Sequence, residues 1–323
     1  MSKKEILLVG KVPSPIGGVT IHVSRLKDHL EKSSIKFSFI ELIVSNWFQI
    51  IRSLFKYNVV HLHTSNVWVR LVFSCLSLIL NFQLILTFHG NLGRHKSFLN
   101  LIDKVSIKFS TVPVVLNQSS FEKANRLNKN TRLISAFLPP NKQDLTNLTI
   151  VDNVISELIG KFSKVYCTNA FDVAFDKDGN EIYGISSLVN LFNSIEDAGL
   201  IVSDPSGNYR KYLESNKVIN NENIKIIDVS HSFFYVLQNT DGFIRSTTTD
   251  GDSLSIKEAL YLGKTVYCTD CVDRPSGVIL FKTQDYSHLE RLLSKERQSN
   301  EVNHNINMVS GYDKLEKLYL ELI

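Results

Sequence analysis

Little in this chain points to a covalent framework, a secreted product or a nucleic-acid ligand. Only four of its 323 residues are cysteine, Cys75, Cys167, Cys268 and Cys271. That number fits a reducing cytoplasm and leaves no disulfide scaffold. Cys268-Thr-Asp-Cys271 has a metal or redox spacing, but no second pair or nearby histidine completes a zinc set. Two small residues lining a loop is the better reading. No long Lys/Arg block occurs and the formal net charge is only +4, which does not indicate nucleic acid. Neither G-x-G-x-x-G nor G-x-x-x-x-G-K-[ST] is present, which argues against a dehydrogenase or a P-loop enzyme. Met1-Ser-Lys-Lys-Glu5 runs straight into a strand pattern, with no long apolar leader or cleavage site, so secretion is not expected. The one long apolar run, 71–88, is broken by Asn81 and Gln83 and reads as a helix followed by a buried strand. No repeat or low-complexity tract stands out.

What is present is an alternation of apolar strands and amphipathic stretches, the pattern of parallel sheets covered by helices. The length allows two domains, each with a core, and 43% hydrophobic with 21% charged residues is ordinary for a globular protein. Strands are expected at 6–9, 59–62, 84–88 and 112–117, a helix at 19–32 and a short one at 119–125. Around Leu138-Pro139-Pro140-Asn141 the pattern breaks, because two prolines disfavour helix and set an extended connection. A second set of strands is expected at 164–168, 200–202, 224–227, 242–244 and 265–267. The boundary falls near 141–160, and a last helix spans about 308–322.

The most informative stretch is Thr248-Thr-Asp-Gly-Asp-Ser-Leu-Ser-Ile-Lys-Glu258, followed by Ala259-Leu-Tyr-Leu-Gly263. Asp250 lies on a glycine-containing loop and Glu258 lies inside a helix eight residues later. Gly251 and Ser253 let the loop backbone approach a ligand, and the helix opening at Ser253 and Leu254 offers N–H donors for anionic oxygens. One carboxylate for hexose hydroxyls, one for ribose hydroxyls and donors for phosphate together suit a sugar nucleotide.

This stretch resembles the acidic-x7-acidic signature of retaining glycosyltransferases of family 4, with Asp for the first Glu, Asp252 for Phe, Ser253 for the second Gly and Ser255 for Pro. Pro13-Ser-Pro-Ile-Gly17-Gly18-Val19, Val59-Val-His-Leu-His63 and Leu84-Ile-Leu-Thr-Phe-His89-Gly90 are similar to further motifs of that family, in order along most of the chain. So are Gly263-Lys-Thr-Val-Tyr-Cys-Thr-Asp270 and Asp273-Arg-Pro-Ser-Gly277. The resemblance implies an α/β protein of the GT-B fold, two facing Rossmann-like domains with a cleft between them. The acceptor domain would be 1–145, with a terminal helix at 305–323 packing back on it, and the donor domain 160–304.

By resemblance, Glu258 binds the donor ribose, Asp250 the transferred sugar, and Gly17 and Gly18 a phosphate at a helix start. His89 lies near the reacting sugar carbon. His61 and His63 are read as facing opposite ways along their strand, His63 reaching the ligand. The family's Arg and Lys-Gly that hold the diphosphate are missing, and Lys177, Arg245 and Arg274 are the candidate substitutes.

The implied activity is hexosyl transfer from a UDP- or GDP-sugar to a glycan or lipid-linked saccharide in bacterial surface polysaccharide synthesis (O-antigen or capsule). No cofactor, metal or nucleic acid is expected. The implied place is the cytoplasm, with a peripheral seat at the inner face of the membrane where the acceptor is lipid-linked. The missing Arg–Lys pair motivates an alternative, a catalytically inactive GT-B scaffold that partners an active transferase.

Overall fold

A computed structural model describes residues 3–13, 16–94, 97–146, 148–176, 178–218, 221–298 and 310–323. These fall into two compact units, one within Met1–Pro139 and Val309–Ile323, the other within Pro140–Met308.

The first unit is a six-stranded parallel sheet of β1 (Lys3–Gly10), β2 (Phe37–Glu41), β3 (Tyr57–His63), β4 (Gln83–Phe88), β5 (Val112–Val115) and β6 (Arg132–Leu133). Its helices are α1 (Gly18–Lys32), α2 (Trp47–Leu54), α3 (Val67–Leu80), α4 (Ser97–Phe109) and α5 (Gln118–Asn125). The strand order is β2-β1-β3-β4-β5-β6, so the chain leaves β1 for one edge and returns to its other side with β3. That reversal makes the carboxyl ends of β1 and β3 the topological switch point, where open α/β sheets bind ligands.

Alternate residues of the buried strands feed two cores, as the period of a strand requires. Leu7, Val9, Val60 and Leu62 pack with Ile50 and Leu54 of α2, Phe73 of α3 and Ile107 of α4. Ile6, Leu8 and Val59 pack on the opposite face with Leu26 and Leu30 of α1. The same core takes Leu315, Leu318 and Tyr319 from the last helix of the chain, Tyr312–Leu322.

The second unit repeats the plan. Its strands are β7 (Lys164–Asn169), β8 (Ala198–Ser203), β9 (Ile224–Ile227), β10 (Gly242–Arg245), β11 (Thr265–Thr269) and β12 (Ile279–Phe281), in the order β12-β11-β10-β7-β8-β9. The switch point here lies between β7 and β10. Its helices are α6 (Thr149–Lys161), α7 (Ile185–Asn193), α8 (Asn208–Ser215), α9 (Phe233–Gln238), α10 (Leu254–Tyr261) and α11 (Tyr286–Gln298), and Tyr312–Leu322 is α12.

The stretch after the two prolines departs from expectation. It is not an extended connection throughout, because Val151, Ile155 and Leu158 recur at helical spacing and bury one face of α6 in the second unit's core.

Candidate functional site

In the first unit four imidazoles gather around the switch point. His61 and His63 do not face opposite ways: residues two apart on a strand share a face, and their ring centroids are 4.0 Å apart. His61 is tied down at both nitrogens. Nδ1 hydrogen-bonds the Tyr319 hydroxyl at 2.6 Å and Nε2 the Thr87 hydroxyl at 2.8 Å, so this ring anchors α12 to the sheet. His63 Nδ1 instead pairs with His89 Nε2 at 3.0 Å, just beyond the end of β4. His22, on α1, donates from Nδ1 to the Ala136 carbonyl at 2.8 Å, and its ring lies 5.2 Å from both His63 and His89.

Burial is the main reason all four rings titrate below the ordinary histidine range. His22 is held at about 4, with Arg25 adding to the shift and the Ala136 bond opposing it. His61, His63 and His89 are lowered in the same direction, first by burial and then by neighbouring groups, His22 among them in each case. All four are therefore neutral at pH 7. The buried Nε2 atoms of His22 and His63 have no hydrogen-bond partner among the described residues. His22 carries no motif, and only its position one turn into the first helix hinted at its place in the cluster.

Gly17 caps α1 in an extended conformation, and its N–H is held by Thr20 Oγ1 at 3.0 Å. A Cβ on Gly18 would meet nothing within 4 Å, so there is open space beside the first turn. That turn contains no acidic residue, which leaves the positive end of the helix dipole unopposed by its own side chains.

In the second unit the network centres on Asp250. Arg245, at the end of β10, donates from Nε and Nη2 to its two oxygens, both at 3.1 Å. Arg274 donates from Nη1 at 2.8 Å. Asp250, Arg245 and Arg274 side chains are only 8%, 11% and 3% exposed, so this is a buried triad. Burial pushes the Asp250 carboxyl up, but the two guanidinium groups outweigh it and hold the pKa at about 2. Both its oxygens accept from arginines, and its charge sets where the two cations stand.

The rest of the network explains why they stand there. Arg245 Nη1 also reaches Asn169 at the end of β7, across the switch point, with its Oδ1 at 3.2 Å. Asn169 Nδ2 donates to Ser255 in the first turn of α10 at 2.9 Å. The Arg245 guanidinium lies over the Tyr183 ring, 5.3 Å from its centroid. Arg274 Nε donates to the Thr269 carbonyl at 3.0 Å and Nη2 reaches the Thr247 hydroxyl at 3.2 Å and Cys271 Sγ at 3.4 Å. Asn169 and Thr247 lie outside the motif letters, and only their places at strand ends could have flagged them, whereas Thr269 belongs to the Gly263–Asp270 stretch.

Ser253 caps α10 by accepting from the Ile256 N–H, and Leu254 is the first helical residue. Glu258 lies further along α10 and is 3% exposed. Lys257 is tied to Asp252. Lys177 lies outside the described residues.

At α7 the helix N-terminus already has an anion of its own. Glu181 accepts from the Ile185 N–H at 2.7 Å and the Ser186 N–H at 3.2 Å. Gly184, the residue before α7, has φ +61. All four cysteines are free thiols, Cys167 and Cys268 buried in the sheet. Among the described residues no group of three or more His, Cys, Asp or Glu is arranged to hold a metal ion, and no helix is long and apolar enough to cross a membrane.

No family model and no curated protein matches the sequence. Solved structures match the fold. HepE of Anabaena, crystallised with UDP-glucose, superposes with a TM-score of 0.67 at 12% identity, covering 98% of this chain and 95% of that one. Sucrose-phosphate synthase of Thermosynechococcus elongatus gives 0.65 at 14%, over 91% and 90%. The MnaA–UDP structure of S. aureus gives 0.63 at 10%, over 99% and 98%. Two Rossmann-like units with parallel six-stranded sheets make this the GT-B fold.

Proposed function

We propose that the chain is a retaining glycosyltransferase of the family 4 kind. It would move a sugar from a UDP- or GDP-sugar to a glycan or lipid-linked saccharide, without a metal, in assembly of a bacterial surface polysaccharide. One observation carries this reading: Arg245 and Arg274 share a single carboxylate at the switch point of the second sheet. Two cations against one anion leave a unit of positive charge, beside the capped start of α10. A departing nucleoside diphosphate gathers negative charge as the glycosidic bond breaks, and preorganised cations in a buried site stabilise that change. They stand in for the missing Arg–Lys pair.

Glu258 would accept hydrogen bonds from the donor ribose. His89, neutral because buried, would hydrogen-bond the sugar without opposing the positive charge that grows at the anomeric carbon; an imidazolium there would repel it. His63 holds that ring through the 3.0 Å bond and so acts as its positioning partner. Matched folds crystallised with UDP or UDP-glucose support a nucleotide-sugar donor.

The second reading, an inactive scaffold, is favoured by Glu181, whose carboxylate already sits at the α7 N-terminus. Release of free nucleotide from a panel of UDP- and GDP-sugars separates the two. The wild type is expected to release nucleotide, and Glu258→Ala to lower the rate on the order of a hundred-fold, as loss of a key site contact does. No release by the wild type, with an unchanged baseline in the variant, establishes the scaffold.

A further inference from the structure

The histidine cluster of the first unit has one end at which the proton is fixed. A neutral imidazole carries a single N–H, so one nitrogen donates and the other accepts. At His22 the choice is closed. Nδ1 lies 2.8 Å from the Ala136 carbonyl, which only accepts, so the proton is on Nδ1 and Nε2 is a bare lone pair. At His61 both nitrogens are spent on the Tyr319 and Thr87 hydroxyls. His22 therefore brings to the cluster a lone pair that is both fixed and unspent.

His63 and His89 are not fixed by their own bond. The 3.0 Å contact between His63 Nδ1 and His89 Nε2 runs either way. If His63 donates, His89 carries its proton on Nδ1 and that outer nitrogen only donates. If His89 donates, its Nδ1 is bare and only accepts, and His63 carries its proton on Nε2. The surroundings of His63 Nε2 decide between the two. This atom is buried and, like His22 Nε2, has no hydrogen-bond partner among the described residues. The His22 and His63 ring centroids are 5.2 Å apart, the same separation as in the bonded His63–His89 pair. A proton on His63 Nε2 gives the lone pair of His22 an N–H to attract. Without it, two buried lone pairs are left in neighbouring rings, which a site of low dielectric disfavours. The polarity then runs from the Ala136 carbonyl through His22 and His63 to His89. His22, His61 and His63 are buried, and His89 is the least buried of the four rings, so the sequence ends where a ligand has access.

We infer that His22 is a positioning residue: its lone pair draws the proton to His63 Nε2 and, through His63, leaves His89 Nδ1 bare as an acceptor for a ligand hydroxyl. The use of that acceptor rests on the transferase reading, in which a sugar hydroxyl would donate to it. The tautomers themselves are read without sugar or nucleotide, so the two ideas fail separately.

Long-range proton–nitrogen correlation spectra of the isotope-labelled full chain at neutral pH distinguish protonated from bare imidazole nitrogens. His89→Gln identifies the His89 signals by their loss. In the wild type His22 should be protonated at Nδ1, and His89 at Nε2 with Nδ1 bare. His22→Asn keeps an amide donor for the Ala136 carbonyl and removes the lone pair. In that variant the His89 Nδ1 signal should move from the bare towards the protonated position, with circular dichroism unchanged. A wild-type His89 protonated at Nδ1 overturns the inference without any variant, and so do unmoved His89 signals in folded His22→Asn. A wild type that releases no nucleotide yet shows the expected spectra counts against the transferase reading alone.

Discussion

At the scale of single residues, the network of the second unit is organised by a carboxylate paired with two arginines. Removing one member of a buried triad leaves charges without compensation, which costs more than the triad adds to stability. Asp250→Asn should therefore destabilise the fold by about 3 kcal/mol in urea unfolding, whereas an exposed pair such as Arg132–Glu321 should cost little. Asp250 stood out in the sequence because its motif is local. Its partners were legible only as cations near loops, since Arg274 reaches it from 24 residues away through the end of β11. Pairing of this kind follows from sheet order, and no window of sequence contains it. The two histidines of β3 show the converse. Their spacing of two fixed their common face, and only a misapplied period set them on opposite ones.

At the scale of elements, most strands were legible from their apolar runs, the edge strand β9 among them, whereas β2, β6 and β12 were not. β6 has two residues and β12 three, too few for any period to register. α6 was hidden because its apolar stripe lies in an Asn- and Thr-rich stretch just after two prolines. The start of α7 depends on one glycine. Gly184 has φ +61, and a Cβ there would stand 2.7 Å from the Ser246 carbonyl and 2.2 Å from the Tyr286 hydroxyl. Gly184→Ala combines a left-handed backbone with a backbone clash, so a loss of about 2 kcal/mol is expected in thermal or urea unfolding. An unchanged midpoint would mean that the 181–184 loop does not hold its place against the strand ends.

At the scale of the whole molecule, the two units should respond to acid in a definite order. The four buried histidines of the first unit stay neutral when folded and protonate when unfolded. Below the ordinary value of 6.5 the unfolded state then binds more protons, so stability falls as the pH drops. For His22 the loss runs from 6.5 down to about 4 and amounts to about 3 kcal/mol when complete. Asp250 in the second unit has a depressed pKa, so its contribution is present above 3.8 and disappears only as the pH falls to about 2. Hydrogen exchange followed down the pH scale should show amides of β1, β3 and β4 losing protection before those of β7 and β10. The reverse order would mean that the histidine cluster is hydrated and protonated in the folded protein.

The most direct test of the account is a calorimetric titration of UDP and GDP into the wild type and into Arg245→Ala, chosen because Arg245 is the less buried of the two cations. One of the nucleotides should bind the wild type, and the variant should bind it at least roughly ten-fold more weakly, as loss of a charge-assisted contact to phosphate requires. Equal affinity in the two proteins, or no binding of either nucleotide to the wild type, would contradict it.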